Sequence, residues 1–154
     1  MLWAAGFTIW KTADGKPFDE EGRIIGGCMD ILIHLIGTKY DGTKKFIGKY
    51  ANEGILWYFD IYSMTAESVY LALWHMKQAG WFKGAKGFIF GRICIKSSYV
   101  ELTYEETIKK ALGDVPIIFD ADIGHVKPRM TIINGAWAHV MSKDGKGTIE
   151  LTCK

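Results

Sequence analysis

His125 is the residue in this sequence best placed to move a proton. It lies in Asp122-Ile123-Gly124-His125-Val126-Lys127-Pro128, soon after the apolar run Val115-Pro116-Ile117-Ile118-Phe119. Such a run predicts a buried strand, and Pro128 fixes a turn before a second apolar run, Met130 to Ile133. His125 is therefore expected in a loop at the mouth of a sheet, held at both ends by strands, where catalytic groups are often carried. An ordinary polar loop residue fits the same position. Asp60 is a parallel case. It closes Gly54-Ile55-Leu56-Trp57-Tyr58-Phe59, a continuous apolar run of the kind found in strands covered on both faces. A carboxylate there is costly unless it is paired or wet. If the two strands are neighbours in a parallel sheet, Asp60 and His125 leave it at one edge, where α/β sheets place their sites. A base and an acid that orients it are two parts of a hydrolytic triad. A capping or turn role is the alternative for Asp60.

The third part, a nucleophile, is harder to find. No G-x-S-x-G elbow is present, and Ser63, Ser68, Ser97, Ser98 and Ser142 stand in ordinary contexts. Cys28 follows Gly26-Gly27 ahead of a short helical pattern, where a thiolate could be stabilised; a small buried hydrophobe is the competing role. Asp120, Asp122 and His125 are the residue types of a divalent-cation site, although one loop rarely supplies a full ligand shell. A phosphate at the helix start after Gly27 is conceivable, but no GxGxxG or Walker pattern follows. His34, His75 and His139 fall within predicted helices or strands and are read as structural.

Composition narrows the class. A chain of 154 residues fits one domain with a real core, and 49% hydrophobic residues argue against disorder. With 19 basic and 17 acidic residues there is no basic footprint for a nucleic-acid polymer. The apolar runs are too short to span a membrane, and Met1-Leu2-Trp3 has neither a basic lead nor a small-residue cleavage site. Three widely spaced cysteines suit a reducing compartment, so a cytoplasmic location is expected, with neither a disulfide framework nor a zinc pattern.

The elements that must hold these residues follow from periodicity. Leu2 to Trp10 is a candidate edge strand, Arg23 to Ile25 a short strand running into Gly26-Gly27, and Met29 to Ile36 a short helix ending at Gly37. Thr38 to Asn52 is polar and Lys-rich and is expected to be a loop and a solvated segment. Thr65 to Ala79 carries Val69, Leu73 and Met76 on one helical stripe and stops at Gly80. Gly87-Phe88-Ile89-Phe90 is a further buried strand, and Ile93 to Val100 irregular chain. Thr103-Tyr104-Glu105-Glu106 is a capping box that opens a helix to Leu112. Ala136 to Met141 and Thr148 to Thr152 form a hairpin around Asp144-Gly145. Alternation of strands and helices in the middle implies parallel pairing with crossovers. The expected fold is α/β with a mixed or barrel-like sheet.

Several stretches together are similar to one family. Gly22-Arg23-Ile24-Ile25-Gly26-Gly27-Cys28-Met29-Asp30, Leu35-Ile36-Gly37-Thr38-Lys39-Tyr40-Asp41, Ile55 to Asp60, Leu73 to Phe82, Gly87 to Arg92 and Asp122 to Pro128 resemble, in order, the LD-carboxypeptidase family of serine peptidases, including its microcin C immunity branch. The resemblance covers the C-terminal domain alone. It implies a swivelling β/β/α domain with a mixed sheet over residues 1–154, and an N-terminal domain, absent from this chain, that carries the serine nucleophile as partner. It implies a histidine at His125 and an orienting acid at Asp60, where the family has glutamate. The implied reaction is hydrolysis of an amide in muropeptides or in a microcin C-type peptidyl nucleotide, with a peptide-like small substrate and no metal or organic cofactor. On this reading the chain alone lacks the nucleophile and is expected to be inactive. A catalytically silent fragment or binding module derived from the family is the alternative. A face left by the missing domain predicts a homo-oligomer.

Overall fold

The computed structural model describes residues 2–4 and 8–153. Eight strands among them form one mixed sheet in the order β1-β8-β7-β3-β4-β5-β6-β2. The strands are β1 (Leu2–Ala4), β2 (Lys11–Thr12), β3 (Phe18–Cys28), β4 (Ile55–Asp60), β5 (Ala85–Gly91), β6 (Ile117–Ala121), β7 (Trp137–Lys143) and β8 (Lys146–Thr152). The helices are α1 (Met29–Leu32), α2 (Thr43–Lys49), α3 (Ala66–Gln78) and α4 (Tyr104–Leu112), with a 3-10 turn at Ile33–Leu35. The centre, β3-β4-β5-β6, is parallel, and both flanks are antiparallel.

The hydrophobic code explains the two layers. In β4, Ile55, Trp57 and Phe59 join the core under the helices, with Val69, Leu73 and Met76 of α3 and Ile108 and Leu112 of α4. Leu56 between them faces the opposite way, into a second core with Ile24, Ile89, Ile118, Val140 and Ile149. β4 is therefore buried on both faces, which is why it shows no polar alternation. Trp57 stacks between Phe59 and Trp81 with near-parallel rings. Thr65 caps α3 by accepting from the Ser68 amide, and Thr103 with Glu106 completes the capping box of α4.

Three expectations are corrected. The polar stretch Thr38 to Asn52 contains α2, because Ile47 is buried in the helix-side core with Phe46 and Tyr50 beside it, and Asp41 Oδ1 accepts from the Thr43 amide. One apolar stripe among lysines was too narrow to show as a helical period. Met130 to Ile133 is not a strand. The chain there is fastened instead by the Met130 amide, which donates to the Asp122 carbonyl at 2.8 Å. The helix after Gly27 has one α-helical turn, Met29–Leu32, before the 3-10 turn. Its first turn carries Asp30, which opposes an anion there. Part of the predicted strand from Leu2 to Trp10 is β1; residues 5–7 lie outside the described residues.

The end of β6 is re-aimed by one extra residue. Ile89 pairs with Ile118, but Gly91 pairs with Ala121, so β6 carries three steps against two on β5. The extra residue is at or beside Asp120, whose φ is 60° and whose carboxylate sits 2.9 Å from Lys11 Nζ. Such bulges bend a strand and re-aim the next stretch of chain; here that is the loop bearing His125. Asn and Asp tolerate positive φ, β-branched residues do not. Asp120→Val should therefore lose about 1–3 kcal/mol relative to Asp120→Asn, read from urea unfolding midpoints. Equal stability of the two variants would exclude the bulge geometry.

The irregular segment after β5 is pinned by Glu67 in the first turn of α3. Its Oε1 accepts from the Ser98 hydroxyl and from the amides of Tyr99 and Val100 at 2.7 to 2.9 Å. Hydrogen bonds from its own amide and then from the Ser98 hydroxyl hold the Glu67 carboxyl down at about 2. A depressed carboxylate adds stability that is complete above its ordinary value of about 4.5 and is lost as pH falls through the folded value. The amide resonances of Tyr99 and Val100 should accordingly titrate with a midpoint near 2, and Glu67→Gln should abolish that titration.

Candidate active site

Four residues reach the same edge of the sheet because the four parallel strands end there. Cys28 is the last residue of β3 and is the register partner of Asp60, the last residue of β4. Arg92 follows β5, and His125 follows β6. The approach of β3 to β4 depends on Gly26. A Cβ built on it would lie 1.7 Å from the Tyr58 carbonyl oxygen, so no side chain fits. Asn134 then clasps Gly26 from the other side, accepting from its amide at 3.0 Å and donating to its carbonyl at 3.2 Å.

His125 and Asp60 meet directly. His125 Nδ1 is 2.5 Å from Asp60 Oδ2. Asp60 is 7% exposed, whereas the His125 side chain is 44% exposed. A carboxylate only accepts, so Nδ1 is the donor to Asp60, and in the neutral imidazole Nε2 is left with the lone pair. The Tyr62 ring lies against the imidazole, centroids 4.9 Å apart and planes tilted by 54°. The buried acid thus sits behind a half-exposed base, and the base is open on its outer side.

The loop is held from two directions. Arg92 Nη1 donates to the buried Asp122 carboxylate at 2.6 Å, and Nη2 donates to the carbonyls of Val126 and Pro128 at 3.0 and 2.5 Å. Thr8 Oγ1 also donates to Asp122 at 2.7 Å. Gly124 supplies the other constraint: its φ is +88°, and a Cβ there would fall 2.2 Å from Asp60 Cβ. Behind Asp60, the turn after β4 is tied to α1. Asp30 accepts from the amides of Tyr62 and Ser63 at 2.9 Å and from the Ser63 hydroxyl at 3.1 Å. Burial acts to raise the Asp30 carboxyl, but the hydrogen bonds from Tyr62 and Ser63 outweigh it and hold the group below its ordinary value.

The other candidates separate. Asp122 is committed to Arg92 and Thr8, and Asp120 to Lys11. The metal grouping Asp120, Asp122 and His125 therefore does not form; among the described residues the group that closes is Cys28, Asp60 and His125. Cys28 is a poor nucleophile, because burial first, then the charges of Asp60 and Asp30, push its thiol up. His139 pairs with Asp19 across β7 and β3, at 2.7 Å. His34 lies in the 3-10 turn and His75 on α3. Arg92 is the residue that sequence reasoning passed over. Its signal was only a cation just past a buried strand, and its role depends on a loop thirty residues later.

Two outcomes check this geometry. Gly124→Ala should cost at least about 2 kcal/mol in urea unfolding, from positive φ and the collision with Asp60 together; a smaller loss would mean that the loop does not rest on Asp60. In Asp60→Asn the replacement amide can donate as well as accept, so the His125 proton should redistribute from Nδ1 toward Nε2. Two-bond nitrogen–proton NMR correlations read the tautomer. An identical pattern in both proteins would show that Asp60 does not hold the ring.

Comparison with known proteins agrees with the topology. The sequence model of the LD-carboxypeptidase C-terminal domain matches residues 21–140. No curated protein matches the sequence. Among solved structures, the muramoyltetrapeptide carboxypeptidase from Oxalobacter formigenes superposes with a TM-score of 0.71 at 19% identity, covering 96% of this chain and 51% of its own. The microcin C7 self immunity protein MccF gives 0.69 at 17%, covering 88% and 39%. An MccF-like protein from Streptococcus pneumoniae, solved with AMP, gives 0.63 at 23%, covering 93% and 44%. At these identities the likeness is one of fold, and the chain spans about half or less of each of these proteins.

Proposed function

Because the chain belongs to the LD-carboxypeptidase C-terminal domain family, whose members are serine peptidases, we propose that it supplies the acid–base half of an amide-hydrolysing site. The observation that carries this reading is the His125 Nδ1 contact to buried Asp60 at 2.5 Å, with the imidazole exposed on its other side. The serine comes from a companion N-terminal domain. His125 Nε2 takes the serine proton as Oγ attacks the amide carbonyl, and returns it to the amine as the C–N bond breaks. Water, deprotonated by the same nitrogen, then releases the acyl group. Asp60 keeps the proton on Nδ1 and stabilises the imidazolium. It does so although aspartate is one methylene shorter than the family's glutamate, because Gly124 lets the loop close onto it.

Three of the five serines have hydroxyls engaged elsewhere, Ser68 with Thr65 among them. Ser63 is engaged by Asp30, and Ser98 by Glu67 and the Val100 carbonyl. We therefore read the 154 residues as one domain that is inactive alone. The substrate is peptide-like: a muropeptide, or a peptidyl or aminoacyl nucleotide. MccF has been solved with glutamyl sulfamoyl guanosine, which supports the second class. Exposed Tyr62, Tyr99 and Val100 at or near this edge suit the docking of that companion or of a second copy. No helix among the described residues is long and apolar enough to cross a membrane, and the free cysteines suit the cytoplasm.

The test is to assay the chain alone and fused behind the serine domain of a family member, on an L,D-tetrapeptide and on an aminoacyl sulfamoyl adenylate. The chain alone should turn over neither. The fusion should act on one, and His125→Ala in it should lower kcat about a thousandfold or more. Serine-reagent-sensitive turnover by the chain alone would overturn the half-site reading, and an unaffected His125→Ala fusion would overturn the assignment of the base. A folded fusion without activity would favour a silent binding module.

A further inference from the structure

The cysteine beside the dyad is used by none of the chemistry above, yet it is held there by the sheet. Cys28 and Asp60 are register partners on adjacent parallel strands, and the His125 loop closes over them. One donor atom from each of Cys28, Asp60 and His125 lies within 4.8 Å of the other two. We propose that these three side chains form a zinc-binding site.

The donor set is thiolate, carboxylate and imidazole, and zinc takes all three. In a tetrahedral site, zinc–ligand bonds of about 2.0–2.3 Å place donors about 3.3–3.7 Å apart. The three donors lie within 4.8 Å of one another and have to draw in by about 1 Å at the widest to reach that spacing. The electrostatics favour a cation. Asp60 is buried, and among the described residues its ion-pair partner is His125, with no Lys or Arg. Asp30 adds a second negative charge next to the thiol, with Cys28 Sγ 3.8 Å from its Oδ2. These same two charges contribute, after burial, to keeping the thiol protonated in the metal-free protein. A divalent ion reverses that balance. Three protein donors leave the fourth tetrahedral position to water, as in zinc sites with three protein ligands.

The proton balance is defined. Zinc binding breaks the Cys28 S–H bond and forms a zinc–thiolate bond, and that proton leaves to the buffer. His125 binds through one ring nitrogen and keeps its single proton on the other, so it contributes none. Asp60 enters the balance as the carboxylate that accepts from His125. One proton is released per ion. A neutral imidazole has one lone pair, so zinc occupancy takes His125 out of use as a base. The zinc site rests on the geometry of the proposed dyad and adds to it: zinc and amide hydrolysis compete for one histidine, and the metal holds the site off.

The experiment uses the 154-residue chain, stripped with a chelator and titrated with zinc against a chromophoric competitor. Calorimetry in buffers of different ionisation enthalpy counts the protons. Cobalt is then substituted, since a thiolate ligand gives cobalt an intense near-ultraviolet charge-transfer band. The expected result is one ion per chain, one proton released, and the thiolate band present. Cys28→Ser should lose the band and bind zinc at least about tenfold more weakly, and His125→Gln should weaken it likewise with near-ultraviolet circular dichroism unchanged. The double variant Cys94→Ser, Cys153→Ser should bind as the parent does. Absence of stoichiometric zinc binding, or a thiolate band that survives Cys28→Ser, would overturn the proposal. The dyad is scored separately, from the His125 tautomer in metal-free Cys28→Ser. If zinc fails while the proton stays on Nδ1, the zinc site alone falls; if the proton is not on Nδ1, the dyad falls.

Discussion

A buried carboxylate at the end of a buried strand has to be answered by something, and here the answer is His125. Asp60 is carried to the edge by β4, whose apolar faces leave it no route to water except along the strand direction. Burial of an uncompensated charge costs far more than any one surface contact returns. Much around it serves to deliver the compensating group. The β6 bulge at Asp120 turns the chain, Gly124 lets it approach, and Arg92 gathers the carbonyls of Val126 and Pro128 so that the loop closes toward β4. The site is thus a consequence of how the sheet ends as well as of which residues it carries.

The arrangement is asymmetric in a way that suits one half of a larger active centre. Asp60 and the Asp122 carboxylate behind the loop are buried, and the base is half exposed. A rigid supporting layer under an accessible imidazole is what a nucleophile arriving from another domain needs, because the geometry is set before the partner arrives. The same pre-organisation also holds a thiol beside the acid and the base. On the two readings proposed, the same strand edge serves proton transfer or a metal, and the two compete for one imidazole.

Much of the fold was legible in the chain order. The apolar runs at Ile55 to Phe59, Phe88 to Phe90 and Ile117 to Phe119 are strands, and the stripe of Val69, Leu73 and Met76 is a helix. Their periodicity is imposed by burial against a core, so local sequence records it. One short element escaped, α2, a short helix with one apolar stripe among lysines; the helix expected from Met29 to Ile36 is present as the single turn of α1 and a 3-10 turn. The chain after Pro128 has the apolar content of a strand but joins no ladder. It fastens its Met130 amide to the Asp122 carbonyl and its Asn134 side chain to Gly26.

By itself the sequence determined which residues could do chemistry and that Asp60 and His125 would follow buried strands, because residue type and hydrophobic run length are local properties. The tertiary structure decided which of them meet. Asp120 and Asp122, close to His125 in the chain, are drawn away by Lys11 and Arg92, while Cys28 and Asp60, far from it in the chain, are brought to it. Strand order and register set those neighbours. Both arise from backbone pairing between segments far apart in the chain, where no local pattern carries the information.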